Sequence, residues 1–544
     1  MITDIKTLLL AALATVAITW LIQSLLKRPP LPLPPGPKPA PLIGNIHQLP
    51  KSLQWLHLYH LSKQYGPIMH FSMAGQPLII LSTHEAAHDL LNRRSARYSD
   101  RPRMVMAGEL VTKGMHMLIR PYDERYKLHQ RMEAPLLTLR AASNYRPLQD
   151  LESQQLLFDV LGEWDKFGEK GVDFHHHFER AMASTIYCLN YGYRLQTGYE
   201  KELLDGKKVQ AEFARTGQVG AYMVDSFPSL NYLPRFLAPW KKEGEELYEL
   251  ERQLHVGNLR KGLNNRSWNF AKYMKDSPEA VTMPEEELAF DLGILADAGL
   301  DTSTVALDWF MVAWLTSGAT WAKKAQELLN EVVGRDRMPT FEDRPKLAYI
   351  DAIASETLRW RPVVVSGVPH FTKTADTYKG YHIPANSTVL PNAFAITRDE
   401  SVFGPNVDTF LPERWLMEDP PQIEPQIDTC GCNVSALKDL PQTGFGFGRR
   451  ICTGRLIARN QLFIQMARML WAFEVEAGVV DEDSGRRHVV DDMDCTEGFV
   501  TLPKPFRAVM RPRGEWVRER IEERGSTHGL DHARILEKAR LDRS

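Results

Sequence analysis

Phe445-Gly446-Phe447-Gly448-Arg449-Arg450-Ile451-Cys452-Thr453-Gly454 runs directly into an apolar pattern of helical period from Arg455 to Phe473, and this stretch decides the fold. A lone cysteine before a helix is ordinarily a small buried hydrophobe. Here an aromatic residue at 445, glycines at 448 and 454 and an arginine at 450 stand at set offsets around Cys452, which reverses that reading. Amides near a helix start point at such a sulfur and spread its charge. The glycines let backbone run close to a flat ligand, and Arg450 offers a planar donor fork to a carboxylate. A thiolate in this setting holds a ferric haem and donates the electron density that favours O–O cleavage. Cys452 is therefore the expected axial ligand.

Three further segments precede it. Glu356-Thr357-Leu358-Arg359 puts an acid and a base three residues apart on one helix, where their side chains meet. Phe410-Leu411-Pro412-Glu413-Arg414-Trp415 follows. Ala298-Gly299-Leu300-Asp301-Thr302 sits inside a long helical pattern that starts near Pro284, with Thr282 and Glu285 as a capping box. A glycine in mid-helix costs about 1 kcal/mol relative to alanine, so it asks for a reason. The expected one is a bulge: Thr302 bonds a carbonyl one turn back and opens the ladder, leaving a groove beside an acid and an alcohol that offer a proton path.

Taken in order, these segments resemble the cytochrome P450 superfamily, whose signature Phe-x-x-Gly-x-Arg-x-Cys-x-Gly is met at Phe445, Gly448, Arg450, Cys452 and Gly454. Thr453 stands where proline is frequent. The resemblance runs from the N-terminus to about Pro512. It implies a mainly α haem-thiolate fold with a minor β region, haem b as cofactor, and oxidation of a small apolar organic substrate. It further implies a buried network of Glu356, Arg359 and Arg414, oxygen activation at Asp301 and Thr302, and a haem propionate contact from His370. Tyr126 and Gln130 replace the Trp and Arg that usually touch propionates, leaving Arg131 or Lys127 as substitutes. The texture is that of fungal members that tailor secondary metabolites.

Composition is consistent with this. The 66 Lys and Arg against 68 Asp and Glu leave a net charge of -2 and no basic stripe, which argues against nucleic acid. Leu8 to Leu26 is an uncharged run long enough to span a bilayer, followed by Lys27 and Arg28. The expected organisation is an anchor over 1–28, a proline-rich hinge over 29–41, a catalytic domain over 42–512 and a charged, solvated tail over 513–544. A single-pass protein of the endoplasmic reticulum membrane with a cytosolic body follows. No Gly-x-Gly-x-x-Gly follows a strand, so an external NADPH-dependent reductase must supply electrons, with cytochrome b5 as a further donor. Its docking face includes Arg449, Arg455 and Arg459.

Helices are expected over Pro284–Trp314, Trp321–Val333, Ala348–Trp360 and Arg455–Phe473, and strands over Gln76–Ser82 and Thr388–Leu390. Cys430 and Cys432 read as incidental loop thiols, and His175 to His177 as a solvated helix or loop. Substrate-facing candidates are Met104, Val105, Met106, Met115, Met117, Leu292, Leu295, Val363 to Val365, Phe499 and Val500, although core packing explains each equally well. Two rival functions stand beside oxygenation: a haem-thiolate isomerase, dehydratase or peroxide-using enzyme, and a haem sensor without turnover.

Overall fold

A computed structural model describes residues 31–541 apart from 219, 419–426, 428–431, 434 and 482–483. The expected anchor and Cys430 lie outside the described residues, within which no helix is long and apolar enough to cross a membrane.

Eight helices position the site: α1 (Glu124–Glu133), α2 (Arg146–Phe167), α3 (Phe174–Tyr191), α4 (Lys201–Thr216), α5 (Pro239–Asn264), α6 (Glu285–Val332), α7 (Ala348–Trp360) and α8 (Arg455–Ala472). The last two match the apolar periods that predict them. The two helices expected around residue 317 are instead one, α6, of 48 residues. Two local devices carry the helix through Thr316-Ser317-Gly318. The Thr316 and Ser317 hydroxyls donate to the carbonyls of Val312 and Ala313, at 2.8 and 2.9 Å. The rings of Phe310, Trp314 and Trp321 pack on one another with centroids 5.4 to 6.3 Å apart. Aromatic burial of that size outweighs the cost of one glycine. The expected capping box at Thr282 is not formed. Pro284 occupies the cap position without a side-chain bond, and Glu285, Glu286 and Glu287 face the positive end of the helix dipole.

The main core gathers Trp309, Phe310 and Trp321 of α6, Ile350 and Ile353 of α7, Phe463 and Trp471 of α8 and Leu156 and Leu157 of α2. Beside it lies a four-stranded sheet of β1 (Ile68–Met73), β2 (Gln76–Leu81), β3 (His370–Thr372) and β4 (Ser387–Pro391), in the order β1-β2-β4-β3. β2 runs antiparallel to β1 and parallel to β4, pairing Leu78 with Thr388, and β3 pairs His370 with Val389. The Phe371 amide also donates to the Asp100 carbonyl at 2.9 Å, which draws Ser99, Asp100 and Arg101 up to His370.

The C-terminal segment departs from expectation. It is docked. α9 (Glu515–Arg524) buries Val517 and Ile521 in the main core, while Trp516 sets its edge on Trp471 at 4.8 Å. α10 (His532–Ala539) buries Leu536 and Ala539 in a second core with Tyr145, Trp268 and Phe270. Between them Arg194 donates to the Thr527 carbonyl (2.5 Å) and hydroxyl (3.0 Å). The segment's high charge hides a few apolar residues at helical spacing, and these suffice to seat it while the charges face water. Leu536→Ala and Ile521→Ala should each cost about 2–5 kcal/mol in denaturant unfolding, as buried truncations do. A solvated tail would keep both within about 0.5 kcal/mol.

Candidate active site

The Cys452 loop is shaped by its glycines. Gly446 and Gly448 have φ of +80° and +58°, in the left-handed region that suits glycine. A Cβ on Gly448 would lie 2.0 Å from the Leu91 carbonyl oxygen, so this glycine admits a backbone-to-backbone approach. A Cβ on Gly454 would meet nothing within 4 Å. The Cys452 amide donates to the Phe445 carbonyl at 2.8 Å, and Arg455 donates to the Cys452 carbonyl at 3.0 Å. Surrounding protein pushes the Cys452 thiol up, while the amides of Gly454 and Arg455, which hydrogen-bond the sulfur, pull the other way. The residue nevertheless keeps an exposed surface.

Arg450 leaves this loop toward α1. Its guanidinium lies over the Tyr126 ring, 3.9 Å from the centroid, and donates to the carbonyls of Ser99 (2.8 Å), Met117 (3.3 Å) and Arg120 (2.6 Å). Arg101 is buried beside it and donates to the carbonyls of Leu118 (2.8 Å) and Pro369 (2.5 Å). His370 is buried too, its Nδ1 donating to the Tyr98 carbonyl at 2.8 Å. Burial, then the charge of Arg450, lowers Arg101 to about 9; burial, then Arg101, lowers His370 to about 3. Neither arginine forms an ion pair among the described residues, and the nearby Asp100 pairs with Lys373. A buried guanidinium beside a half-buried one, with no ion pair, is costly without an anion. A ligand carrying carboxylates would relieve both, and the two propionates of haem fit that requirement.

Sequence reasoning missed Arg101, which sits in no motif and reaches the cluster only through the β3 pairing. It also nominated Arg131, which is exposed. Five residues beyond Tyr126 on α1, Arg131 is turned roughly 140° away around the helix. The structure does not bring it to the cluster.

Across from the loop stands α6. Ile294 packs with Met117, Tyr122 and Tyr126, so the helix, the α1 ring and the Arg450 guanidinium meet in one place. One turn on, Ala298 is exposed although buried residues flank its turn. The Thr302 hydroxyl donates to the Ala298 carbonyl at 2.9 Å, as expected, yet the helix stays continuous and no bulge forms. Gly299 has a different reason: a Cβ there would lie 3.0 Å from Ile186 Cγ1, so the glycine admits α3. Asp301 is raised to about 6 by burial and then by the charge of Glu179.

Glu356 of α7 is fully buried. Arg359 grips it with two bonds of 2.7 Å, and Arg414 Nε (3.0 Å), Trp415 Nε1 (2.9 Å) and the Leu411 amide (2.8 Å) complete its shell. Of the substrate-facing candidates, Val105, Met106, Leu292, Val363 and Val365 are consumed in packing clusters. Met104, Leu295, Val364, Phe499 and Val500 keep partial exposure. The three histidines are partnered rather than solvated: His175 with Asp308, His176 with the Thr197 carbonyl and His177 with Glu163. Cys432 is buried against Arg459, and no cluster of His, Cys, Asp and Glu among the described residues suits a metal ion.

The model of the cytochrome P450 family matches residues 34–510, and the chain belongs to that family. Its class of activity is that of a cytochrome P450 monooxygenase. Cytochrome P450 monooxygenase aneD of Aspergillus aculeatus is 36% identical over 530 residues, 97% of each chain. Monooxygenase drtD of Aspergillus calidoustus is 36% identical over 93% of this chain and 90% of its own. Monooxygenase peniB of Penicillium patulum is 33% identical over 97% of this chain and 94% of its own.

A charge-assisted bond contributes about 1.5–3 kcal/mol, so Arg101→Gln should weaken haem retention about 10- to 100-fold. Arg131→Gln should leave it unchanged. Haem loss to an apo-globin acceptor measures both.

Proposed function

We propose that this chain is a haem-thiolate monooxygenase that oxidises a small apolar organic molecule, in fungal secondary metabolism, with electrons from NADPH passed on by a separate reductase. The observation that carries this reading is the meeting around Tyr126 of Arg450, from the loop of Cys452, with Ile294 of α6, one turn before Ala298–Thr302, beside the buried Arg101 and His370. Held by a thiolate, haem supplies reduction of dioxygen and transfer of one oxygen atom to the substrate, the other leaving as water.

The chain's own residues do the rest. Cys452 Sγ would bind the iron, with the Gly454 and Arg455 amides favouring its anionic form. Phe445 and Gly454 would border the group, Gly448 fixes the turn, and Arg101, Arg450 and His370 would orient its carboxylates. Glu356, Arg359 and Arg414 hold the irregular segment from Thr397 to Trp415 in place. The Thr302 hydroxyl, turning from the Ala298 carbonyl, offers a proton that Asp301 then restores. Met104, Leu295, Val364 and Phe499 give the substrate an apolar wall. Arg449, exposed beside the loop, begins a docking face for an acidic reductase or cytochrome b5; Arg455 and Arg459 are partly committed to Cys452 and Cys432. The run Leu8 to Leu26 anchors the chain in the endoplasmic reticulum membrane with its body cytosolic, supported by its uncharged length and the Lys27 and Arg28 that follow.

Cys452→Ala should abolish the red-shifted ferrous carbon monoxide band, which Cys188→Ala and Cys495→Ala should keep. Persistence of the band in Cys452→Ala overturns the ligand.

Thr302→Ala should preserve that band yet divert NADPH into hydrogen peroxide, since a general acid contributes about 100- to 10,000-fold. Asp301 has a raised pKa of about 6, so its protonated form prevails below that pH and is lost as pH rises through it. Peroxide per NADPH should therefore climb across that interval in the native enzyme and stay flat in Asp301→Asn. Unchanged peroxide yield in both variants would remove the proton relay.

A further inference from the structure

His116, in the segment that leads through Met117 to α1, is only 6% exposed and is held at two points. Its ring lies flat on that of Phe213 of α4, with centroids 4.1 Å apart, and its neighbour Met117 packs on Ile294 of α6. The same two helices touch each other one turn away, where the Gln210 side-chain amide donates to the Asp297 carbonyl. Gln210 stands three residues before Phe213 and Asp297 three after Ile294, so each pair shares a face of its helix and is offset by about 4.5 Å along the axis. Three polar groups in this corner have no hydrogen-bond partner among the described residues. Nδ1 of His116 accepts from the Leu118 amide at 3.3 Å, so the neutral ring carries its proton on Nε2, which donates to nothing. With its nitrogen on a carbonyl, Gln210 is left with a buried Oε1 that accepts from nothing. The Asp297 carboxylate accepts no hydrogen bond either. It is 16% exposed and stands 3.7 Å from Nε2 of His255, whose ring the missing Cβ of Gly293 admits to α6.

We infer that His116, Gln210 and Asp297 form a subsite for a hydroxyl group, so that the substrate is an apolar skeleton bearing an alcohol; the inference rests on the monooxygenase reading. A hydroxyl is the small neutral group that both gives and takes. Its oxygen accepts from His116 Nε2, and its proton goes to Gln210 Oε1 or the Asp297 carboxylate. Two hydrogen bonds through one oxygen bridge about 5 Å, close to the offset between the two helix contacts. A carboxylate guest has no proton for Gln210 and meets Asp297 as a like charge, and an ammonium guest has no lone pair for His116. Burial, then His255, lowers His116 to about 3, and burial raises Asp297 to about 7 against the pull of His255, so the corner disfavours charge and suits a neutral guest. Apolar surface adjoins it. Met104 Cε lies 3.7 Å from where a Cβ on Gly217 would stand, just past the end of the same α4 face, and Ala298, next to Asp297, is exposed within its buried turn. An alcohol satisfies polar groups that a hydrocarbon would leave stranded, and stranded groups are what a site discriminates by.

Displacement of the Soret band of the ferric holoenzyme measures occupancy of the substrate space without turnover. The probes are decane, 1-methoxydecane and 1-decanol, which share one chain and offer no polar group, an acceptor alone, or an acceptor and a donor. 1-Decanol should bind at least about 10-fold tighter than decane, with 1-methoxydecane between them. His116→Phe keeps the ring stack and removes the donor, so it should bring 1-methoxydecane level with decane and cut the advantage of 1-decanol. Gln210→Leu and Asp297→Leu should each draw 1-decanol toward 1-methoxydecane, while Asp297→Asn, which still accepts, should hold them apart. A merely structural role would weaken all three probes alike in these variants, and that result overturns the subsite. If either leucine variant does not fold, His116→Phe carries the test. Equal binding of decane and 1-decanol by the native enzyme, an undiminished advantage of 1-decanol in His116→Phe, or no response to 1-decanol at its solubility limit likewise overturns the subsite alone. Absence of the ferrous carbon monoxide band from the native protein overturns the monooxygenase reading itself.

Discussion

The carboxylate of Glu356 is removed from water completely, and much of the structure is arranged to make that tolerable. Burial of an unpaired carboxylate is prohibitive. Five donors converge on it: two from Arg359, one each from Arg414 and Trp415, and the Leu411 amide. The two guanidiniums are themselves completed by the carbonyls of Thr397, Val407, Phe403 and Asn406. One acid on α7 therefore fixes the path of an irregular segment spanning nearly twenty residues, which has little regular structure to hold it. Such a network specifies one arrangement because each alternative strands a charge.

The same accounting gives the opposite result around Tyr126. There Arg101 is buried and Arg450 half-buried, and neither forms an ion pair among the described residues. Arg101 and Arg450 lean on backbone carbonyls, which stabilise a cation less than a carboxylate does. Where the protein completes its own charges it builds a rigid support; where it leaves them incomplete it makes a site for a ligand of matching charge.

How much of this was legible in the sequence depended on whether the signal was local. The Ala348–Trp360 and Arg455–Ala472 helices follow from apolar period alone, and the β2 and β4 strands from short β-rich runs between turns. The Cys452 loop was legible because five residue types at set offsets are rarely met by chance. The continuity of α6 was not, since hydroxyl back-bonding and ring packing across Gly318 are tertiary effects that no window of propensity contains. Arg101 was silent for the same reason: its role arises from the pairing of Asp100 with Phe371, 271 residues away. Gly299 announces a close approach without saying what approaches: the expected bulge is absent, and Ile186 is the neighbour it admits.

The seated C-terminus bears on the order in which the domain is assembled. Chains fold as they emerge, N-terminal parts first. Yet Leu536 and Ala539 fill a core that otherwise consists of residues between Met132 and Leu300, and Val517 and Ile521 close another around Trp471. Both cores lack these side chains until the segment over 515–539 has been made. Vectorial growth on the ribosome thus yields a body with two open seams, which close only when Glu515–Arg524 and His532–Ala539 dock.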